Sequence, residues 1–242
     1  MSVSAKVRLD QMLVKMGLVA SRSQAESYIK LGRVEVNGRQ IIKPGYSVNP
    51  DDAIKLSAEE QYVSRAGLKL ASIARSLNLD FKDKTVLDIG SSTGGFTDYA
   101  LRHGACKVIG VDVGTDQLHP SLKRDGRVEL HEKTDIRNFE PGQPIDIVLA
   151  DLSFISLREI LPHVASLSSR ETQIVAMVKP QFEAGNSQLK HKGVIKNEKM
   201  RRDILRDFEK WASERFIVQG KADSQVAGSK GNLERFYLLR KA

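Results

Sequence analysis

Two side chains of opposite charge follow apolar segments of this chain, and they are its first candidates for chemistry. Asp151 ends the near-continuous apolar segment 145–151, and Lys179 follows the apolar segment 173–178. If these segments are parallel strands, both side chains stand at strand ends, where open sheets of this type bind ligands. Either residue alone is also consistent with a surface charge at the start of a loop. The pair favours a functional site in which a lysine and a carboxylate act together.

A glycine-rich turn predicts a nucleotide-like ligand near that pair. Segment 85–101 has the pattern of a buried strand, a turn with glycines at 90, 94 and 95, and the start of a helix. Such glycines let a ligand approach the backbone, and the helix offers free N–H groups. Ser92 occupies the second glycine position of a dinucleotide fingerprint, and the Lys and Ser/Thr of a P-loop do not follow Gly95. Both phosphate-binding interpretations are therefore weakened, and a glycine turn without a ligand remains the alternative.

The turn resembles the cofactor loop of S-adenosylmethionine-dependent methyltransferases, in which an acidic residue ends the strand before a G-x-x-x-G-G turn. Asp88, Gly90, Gly94 and Gly95 fit this pattern, and a second acid, Asp112, closes the next strand. An acid at that place is expected to accept hydrogen bonds from both ribose hydroxyls of the cofactor, as in the dinucleotide fold. The predicted cofactor-binding residues are Asp88, Gly90, Ser91, Ser92, Gly94, Gly95, Phe96, Asp112, Val113 and Asp135, with Asp135 near the adenine.

Alternating strand and helix patterns place this site in an α/β domain. We expect a helix from Val63 to about Asn78. We also expect four strands, over residues 106–113, 128–135, 145–151 and 173–178. A long helix, 198–214, and two strands, 217–225 and 233–239, complete the pattern. This order predicts a mostly parallel sheet with helices on both faces and an antiparallel pair at its C-terminal edge.

The first sixty residues have a different pattern and an excess of positive charge. Two short helical segments precede two alternating segments around Asn37-Gly38, a strong hairpin signal. Residues 1–49 carry eight Lys or Arg against three acids, so they supply +5 of the net charge of +8. The pattern is similar to the small α+β RNA-binding domain of a small-subunit ribosomal protein, pseudouridine synthases and tyrosyl-tRNA synthetases. Its positive face for phosphates would comprise Arg8, Lys15, Arg22, Lys30, Arg33 and Lys43. We therefore predict an RNA-binding domain over 1–60 and a catalytic domain over 61–242.

The whole chain resembles the TlyA family, also labelled hemolysin A, of rRNA ribose methyltransferases. The resemblance rests on the glycine turn and on the motifs Val63-Ser64-Arg65-x-Gly67-x-Lys69-Leu70, Asp151-Leu152-Ser153-Phe154-Ile155-Ser156-Leu157, Val178-Lys179-Pro180-Gln181-Phe182-Glu183 and Gly228-Ser229-x-Gly231-Asn232-x-Glu234. Ala66 departs from an expected glycine. The family shares a Lys-Asp-Lys-Glu tetrad with FtsJ-like methyltransferases, and it falls here on the catalytic candidates Lys69, Asp151, Lys179 and Glu234. The resemblance implies a Rossmann-like class I methyltransferase that transfers a methyl group from S-adenosylmethionine to a ribose 2′-hydroxyl of ribosomal RNA, on a cytidine.

Other methylation chemistries lack their usual residues. Methylation of an exocyclic amine usually comes with Asp/Asn-Pro-Pro-aromatic, whereas this chain has Asp151-Leu152-Ser153-Phe154. Methylation at C5 of a pyrimidine needs a nucleophilic cysteine, and the single one, Cys106, lies on another part of the sheet, where we expect it to be buried. A lysine suits a weakly acidic sugar hydroxyl. We leave open whether Lys179 removes the proton or only steers the oxygen lone pair.

The composition of the chain also bears on whether it could be a membrane, secreted or metal-binding protein. Apolar runs fall far short of the roughly 20 residues that cross a bilayer, and residues 1–6 carry no secretory signal pattern. Histidines are scattered without metal-ligand spacing, so no metal is expected. We expect a cytoplasmic, monomeric protein whose partners are ribosomal RNA and ribosomal subunits. Two alternatives stay open: a membrane-active hemolysin, and a non-catalytic RNA-binding or ribosome-assembly protein that keeps the cofactor fold.

Overall fold

The computed structural model describes residues 6–19, 21–57, 62–184, 194–195, 197–228 and 231–242. The chain divides into two compact units, Met1–Arg65 and Ala66–Ala242. The domain boundary predicted at residue 60 falls in segment 58–61, which lies outside the described residues. It therefore remains a prediction.

The N-terminal unit contains the predicted helix pair and hairpin. Its elements are β1 (Val7–Arg8), α1 (Leu9–Lys15), α2 (Arg22–Lys30), β2 (Val34–Val36), β3 (Arg39–Gln40), β4 (Ser47–Val48) and β5 (Ile54–Leu56). The Ser21 hydroxyl caps α2 by accepting a hydrogen bond from the Gln24 N–H at 3.2 Å. Asn37 and Gly38 have φ of 51° and 75°, the left-handed values that a tight hairpin between β2 and β3 requires.

The second unit is a Rossmann-like α/β domain, which confirms the predicted fold class. Its helices are α3 (Arg65–Ala74), α4 (Gly95–Arg102), α5 (Pro120–Lys123), α6 (Leu157–Leu167), α7 (Pro180–Glu183) and α8 (Glu198–Ser213). Its strands are β6 (Thr85–Ile89), β7 (Lys107–Val111), β8 (Val128–His131), β9 (Ile147–Ala150), β10 (Gln173–Val178), β11 (Phe216–Asp223) and β12 (Arg235–Lys241). Seven strands lie in the order β11-β12-β10-β9-β6-β7-β8, and within the described part of this sheet only the two pairs that include β12 are antiparallel.

The central strands are buried because helices cover the sheet. Leu87, Leu149 and Val175 are fully buried on adjacent strands, as expected for near-continuous apolar segments. Helix α8 packs Leu205 and Phe208 against this core, with Trp211 partly buried beside them. The sequence pattern therefore identified the layers correctly.

Three local expectations were wrong. Strand β8 ends at His131 rather than at Asp135, whose side chain instead caps a short 3-10 helix. Helix α3 ends at Ala74 rather than near Asn78, and Asn78 has a left-handed φ of 50° that terminates the segment. Cys106 is exposed rather than buried, because it precedes β7 at the open amino end of the sheet. Among the described residues, no helix has the length and apolar character needed to cross a membrane.

Candidate active site

The predicted glycine turn joins β6 to α4 at the point where the strand order reverses. Strand β6 pairs with β7 on one side and with β9 on the other, which creates a crevice at their carboxyl ends. Gly90 has a φ of 80°, and a Cβ there would lie 2.6 Å from the carbonyl oxygen of Asp151. Gly94, with a φ of 92°, caps the N-terminus of α4. The turn thus brings the first N–H groups of α4 and the end of β9 to one crevice.

Asp88 faces the protein interior and braces the turn. The Thr97 hydroxyl, on the first turn of α4, donates a hydrogen bond of 2.6 Å to Asp88 Oδ2. Burial raises the pKa of Asp88 to about 7, and the carboxylates of Asp151 and Asp112 add to this rise while Thr97 opposes it. Asp88 Oδ1 and the Ser91 hydroxyl are buried and have no hydrogen-bond partner among the described residues. These two atoms are polar groups that a bound ligand could satisfy.

Asp112 directly follows β7 and contacts the other side of the turn. Its Oδ2 accepts a hydrogen bond from the Ser92 N–H at 2.8 Å, and its Oδ1 accepts one from the Gly114 N–H at 2.7 Å. Because each carboxylate oxygen has two lone pairs, both can still accept a further bond. Backbone contacts therefore orient this carboxylate beside the glycine turn.

The other predicted cofactor residues differ in exposure. Gly95 and Phe96 are buried, and the ring of Phe96 packs near that of Phe236, with centroids 6.0 Å apart. Val113 is 74% exposed. Asp135 is partly exposed, and a hydrogen bond from Arg137 lowers its pKa to about 2. Because its side chain is buried, Phe96 can contact a ligand only through its backbone. Val113, in contrast, offers an accessible apolar side chain.

The four tetrad residues form two ion pairs. Lys69 Nζ lies 2.9 Å from Glu234 Oε1, and both side chains are buried. Lys179 Nζ lies 2.6 Å from Asp151 Oδ1 in an ion pair, and it donates a hydrogen bond of 2.8 Å to the Ser153 hydroxyl. Ser153, which lies in the same motif as Asp151, was not among the predicted site residues.

Sheet register brings the two ion pairs together. Val178 pairs with Arg235 in the antiparallel ladder of β10 and β12, so the next position of that ladder sets Lys179 beside Glu234. Burial raises the pKa of Glu234. Lys69 and Lys179 oppose this rise, whereas the charge of Asp151 adds to it. The tetrad is therefore one electrostatic unit with two cations and two carboxyl groups.

A buried glutamate links the segment after Lys179 to the segment after Asp151. Glu183, in α7, accepts a hydrogen bond of 2.6 Å from the Ser156 hydroxyl and one of 2.7 Å from the Leu157 N–H at the start of α6. Burial raises the pKa of Glu183, and these two hydrogen bonds oppose the rise. Glu183 was not among the predicted site residues, although Ser156 before an apolar helical pattern is a recognisable cap.

An accessible aromatic side chain stands two residues before that cap. Phe154 is 91% exposed and has a left-handed φ of 69°, which is unusual for an aromatic residue. Its ring lies 5.3 Å from that of Phe182, measured between centroids. One residue beyond Ser153, which accepts a hydrogen bond from Lys179, the loop therefore presents an aromatic face to solvent.

The predicted RNA-binding residues are exposed side chains of the N-terminal unit. This holds for Arg8, Lys15, Arg22, Lys30, Arg33 and Lys43. Arg8 and Arg22 both contact the buried carboxylate of Asp10. The unit therefore has an exposed set of basic side chains, and the buried Asp10 carboxylate holds two of them, Arg8 and Arg22, by ion pairs.

The fold and the site define a methyltransferase of the Rossmann-like class. Residues 62–241 match the FtsJ-like methyltransferase family, and residues 7–54 match the S4 domain. The chain belongs to the FtsJ-like methyltransferases and, within them, to the group that includes TlyA and hemolysin A.

Relatives in this group resemble the chain over nearly its full length. The 16S/23S rRNA (cytidine-2′-O)-methyltransferase TlyA of Mycobacterium tuberculosis is 37% identical, over 98% of this chain and 91% of that protein. The 23S rRNA (cytidine-2′-O)-methyltransferase TlyA of Campylobacter jejuni is 36% identical, over 90% and 93%. The solved structure of a candidate hemolysin from Streptococcus thermophilus is 38% identical with a TM-score of 0.72, and the match covers 98% of this chain and 89% of that one.

Proposed function

We propose that this enzyme transfers a methyl group from S-adenosylmethionine to the 2′-hydroxyl of a cytidine ribose in ribosomal RNA. The observation that carries the proposal is the pairing of Lys179 with Asp151 and of Lys69 with Glu234 at the crevice of the glycine turn. The TlyA relatives, which cover both units of this chain, support the substrate.

The residues at the glycine turn fit S-adenosylmethionine. The Ser91 hydroxyl and Asp88 Oδ1 are buried polar atoms that have no partner among the described residues. The oriented carboxylate of Asp112 can accept hydrogen bonds from ribose hydroxyls, and Val113 offers an apolar contact. When bound, the cofactor supplies an activated methyl group. The protein must therefore align the acceptor hydroxyl and relieve it of its proton.

Lys179 is the residue proposed to act on that hydroxyl. In the reaction the ribose oxygen gains the methyl group and its O–H bond breaks, so the proton must pass to a side chain or to water. Asp151 and Ser153 orient the Lys179 ammonium group from two sides. The ammonium form of Lys179 then donates a hydrogen bond that directs the oxygen lone pair, or Lys179 first loses a proton to water and takes the hydroxyl proton as the neutral amine. Lys69 and Glu234 position the ribose and balance the charge of the site.

Substrate RNA is proposed to contact both units. The S4 match and the six exposed basic residues support RNA affinity in residues 1–60, while residues 61–242 supply the chemistry. The exposed ring of Phe154 is suited to stacking on an unpaired base next to the tetrad. We further propose that the enzyme acts as a monomer in the cytoplasm, where ribosomal RNA is found.

Transfer of a tritium-labelled methyl group tests this proposal. The full-length protein is incubated with labelled S-adenosylmethionine and, separately, with small and large ribosomal subunits, and the modified nucleotide is mapped. The label should enter RNA at a cytidine that becomes resistant to alkaline cleavage, because cleavage requires a free 2′-hydroxyl. Label on a base would contradict the proposed chemistry. RNA binding without any transfer would favour a non-catalytic RNA-binding protein.

A further inference from the structure

A fully buried carboxylate lies beneath two exposed arginines in the N-terminal unit. Asp10 has no exposed side-chain surface, whereas Arg8 and Arg22 are 47% and 53% exposed. We propose that Asp10 is a positioning residue that holds these two guanidinium groups as a preformed clamp for RNA phosphates. This inference rests on the proposed binding of ribosomal RNA by this unit.

The geometry around Asp10 is that of a built clamp. Arg8 donates through Nε to Oδ1 at 3.0 Å and through Nη2 to Oδ2 at 2.7 Å, the two-pronged contact that fixes a guanidinium plane. Arg22 donates through Nη2 to Oδ2 at 3.1 Å, and the Gln11 N–H donates to Oδ1 at 2.9 Å. Four hydrogen bonds thus occupy the carboxylate. They use two of the five N–H donors of Arg8 and one of those of Arg22, which leaves the remainder for a ligand.

The backbone turn of residues 44–46 confines Arg8 from another side. A Cβ on Gly45 would lie 2.9 Å from Arg8 Nη1, so the guanidinium group lies directly against that turn. The N–H groups of Leu9 and Asp10 donate hydrogen bonds to the carbonyl oxygens of Tyr46 and Pro44, which holds the turn in place. Arg8 is therefore exposed to solvent but restricted in its orientation.

Asp10 stays ionised in this arrangement. Burial would raise its pKa, but the hydrogen bonds from Arg8 and Arg22 outweigh burial and hold the pKa below its usual range. The three side chains together carry one positive charge. If the surface attracted phosphates by charge alone, removing this acid would increase its affinity for them. Its presence is explained if ordering two flexible arginines before binding matters more than the charge that it cancels.

The two explanations predict opposite results for Asp10→Asn. Binding of full-length protein to purified ribosomal RNA is measured at several salt concentrations. If charge alone mattered, the variant would bind more tightly, because it gains one positive charge. The clamp predicts binding weaker by about tenfold, because two side chains must then be ordered in the complex. It also predicts a shallower salt dependence, because fewer phosphate contacts form.

A matched control separates orientation from charge. Glu35→Gln, on β2 of the same unit, makes the same change in net charge and should bind RNA as tightly as the wild type or slightly more tightly. Asp10→Asn binding that equals or exceeds that of Glu35→Gln would overturn the inference. Thermal unfolding of each variant, followed by circular dichroism, establishes that the N-terminal unit is folded.

A second variant keeps the test valid if Asp10→Asn does not fold. Arg22→Lys retains the charge on an exposed side chain but removes the planar donor group, so binding should weaken about fivefold. Lys55→Arg, at an exposed lysine on β5 of the same unit that is not among the six predicted RNA-binding residues, is its control and should leave binding unchanged. Wild-type affinity in Arg22→Lys would contradict the clamp. Failure of the wild-type protein to bind ribosomal RNA would instead overturn the proposed function.

Discussion

Replacing Lys179 with alanine should remove most of the methyl transfer while leaving the protein folded and able to bind its cofactor. The side chain provides the ammonium group that contacts both Asp151 and Ser153. Loss of a positioned proton-transfer group costs about 10²–10⁴ in rate, or about 3–5 kcal/mol in the activation free energy. We expect kcat to fall by that factor and cofactor affinity to stay near the wild-type value.

Loss of stability cannot explain so large a decrease. Lys179 and Asp151 are 11% and 16% exposed, so removing one partner should cost about 1–3 kcal/mol in the free energy of unfolding. If the domain has a stability of only about 5 kcal/mol, the folded state would still exceed the unfolded state by about thirty to one. The predicted rate loss is far larger than this small unfolded fraction could cause.

The assay combines single-turnover methyl transfer with calorimetric titration of S-adenosylmethionine. Lys179→Arg should not restore activity, because a guanidinium group cannot give up its proton and its planar shape does not fit the Asp151 and Ser153 acceptors. Lys82→Ala, which removes an exposed lysine of the same unit, is the matched control and should be fully active. Activity of Lys179→Ala within tenfold of the wild type would refute the assignment.

Three further variants test other parts of the site. Asp112→Ala should weaken S-adenosylmethionine binding by about 1.5–3 kcal/mol in calorimetry, because it removes a charged acceptor of ribose hydroxyls. Asp88→Asn should make the protein more stable than the wild type at pH 8, measured by denaturant unfolding. The folded Asp88 carboxyl keeps its proton up to about pH 7, whereas its ordinary pKa is 3.8, so wild-type stability falls as the pH rises between these values, by at most about 4 kcal/mol. Glu183→Gln should lower kcat about tenfold with little change in cofactor affinity, because it weakens the link that holds the Lys179 and Asp151 loops together.

Each variant has an outcome that would contradict its premise. Unchanged cofactor affinity in Asp112→Ala would remove this residue from the binding site. An Asp88→Asn protein whose stability relative to the wild type does not change between pH 4 and pH 8 would show that Asp88 is not held protonated. For Glu183, the exposed Glu159 on α6 supplies the control Glu159→Gln, and equal kcat values for the two variants would remove the positioning role.

The sequence by itself determined the features that depend on neighbouring residues. The strand, the glycines at 90 and 94 and the following helix are local, because backbone conformation and helix capping act over a few positions. Apolar periodicity likewise gave the layers of the sheet and the hairpin at Asn37-Gly38. Asp151 and Lys179 were identified because strand ends can be read from these patterns.

Only the tertiary structure decided which distant side chains meet. Lys69 and Glu234 are 165 residues apart in the sequence and form a buried ion pair. Lys69 lies on α3 and Glu234 precedes β12, so their pairing depends on how that helix packs near the strand. The register of β10 with β12, which a linear pattern does not specify, likewise sets Lys179 beside Glu234. The same holds for Asp88, which turns inward to Thr97, for Glu183, which reaches the start of α6, and for Asp10, which bridges two arginines. Burial and hydrogen bonding across the fold set the orientation and charge state of these groups, and both depend on atoms that the local sequence does not contain.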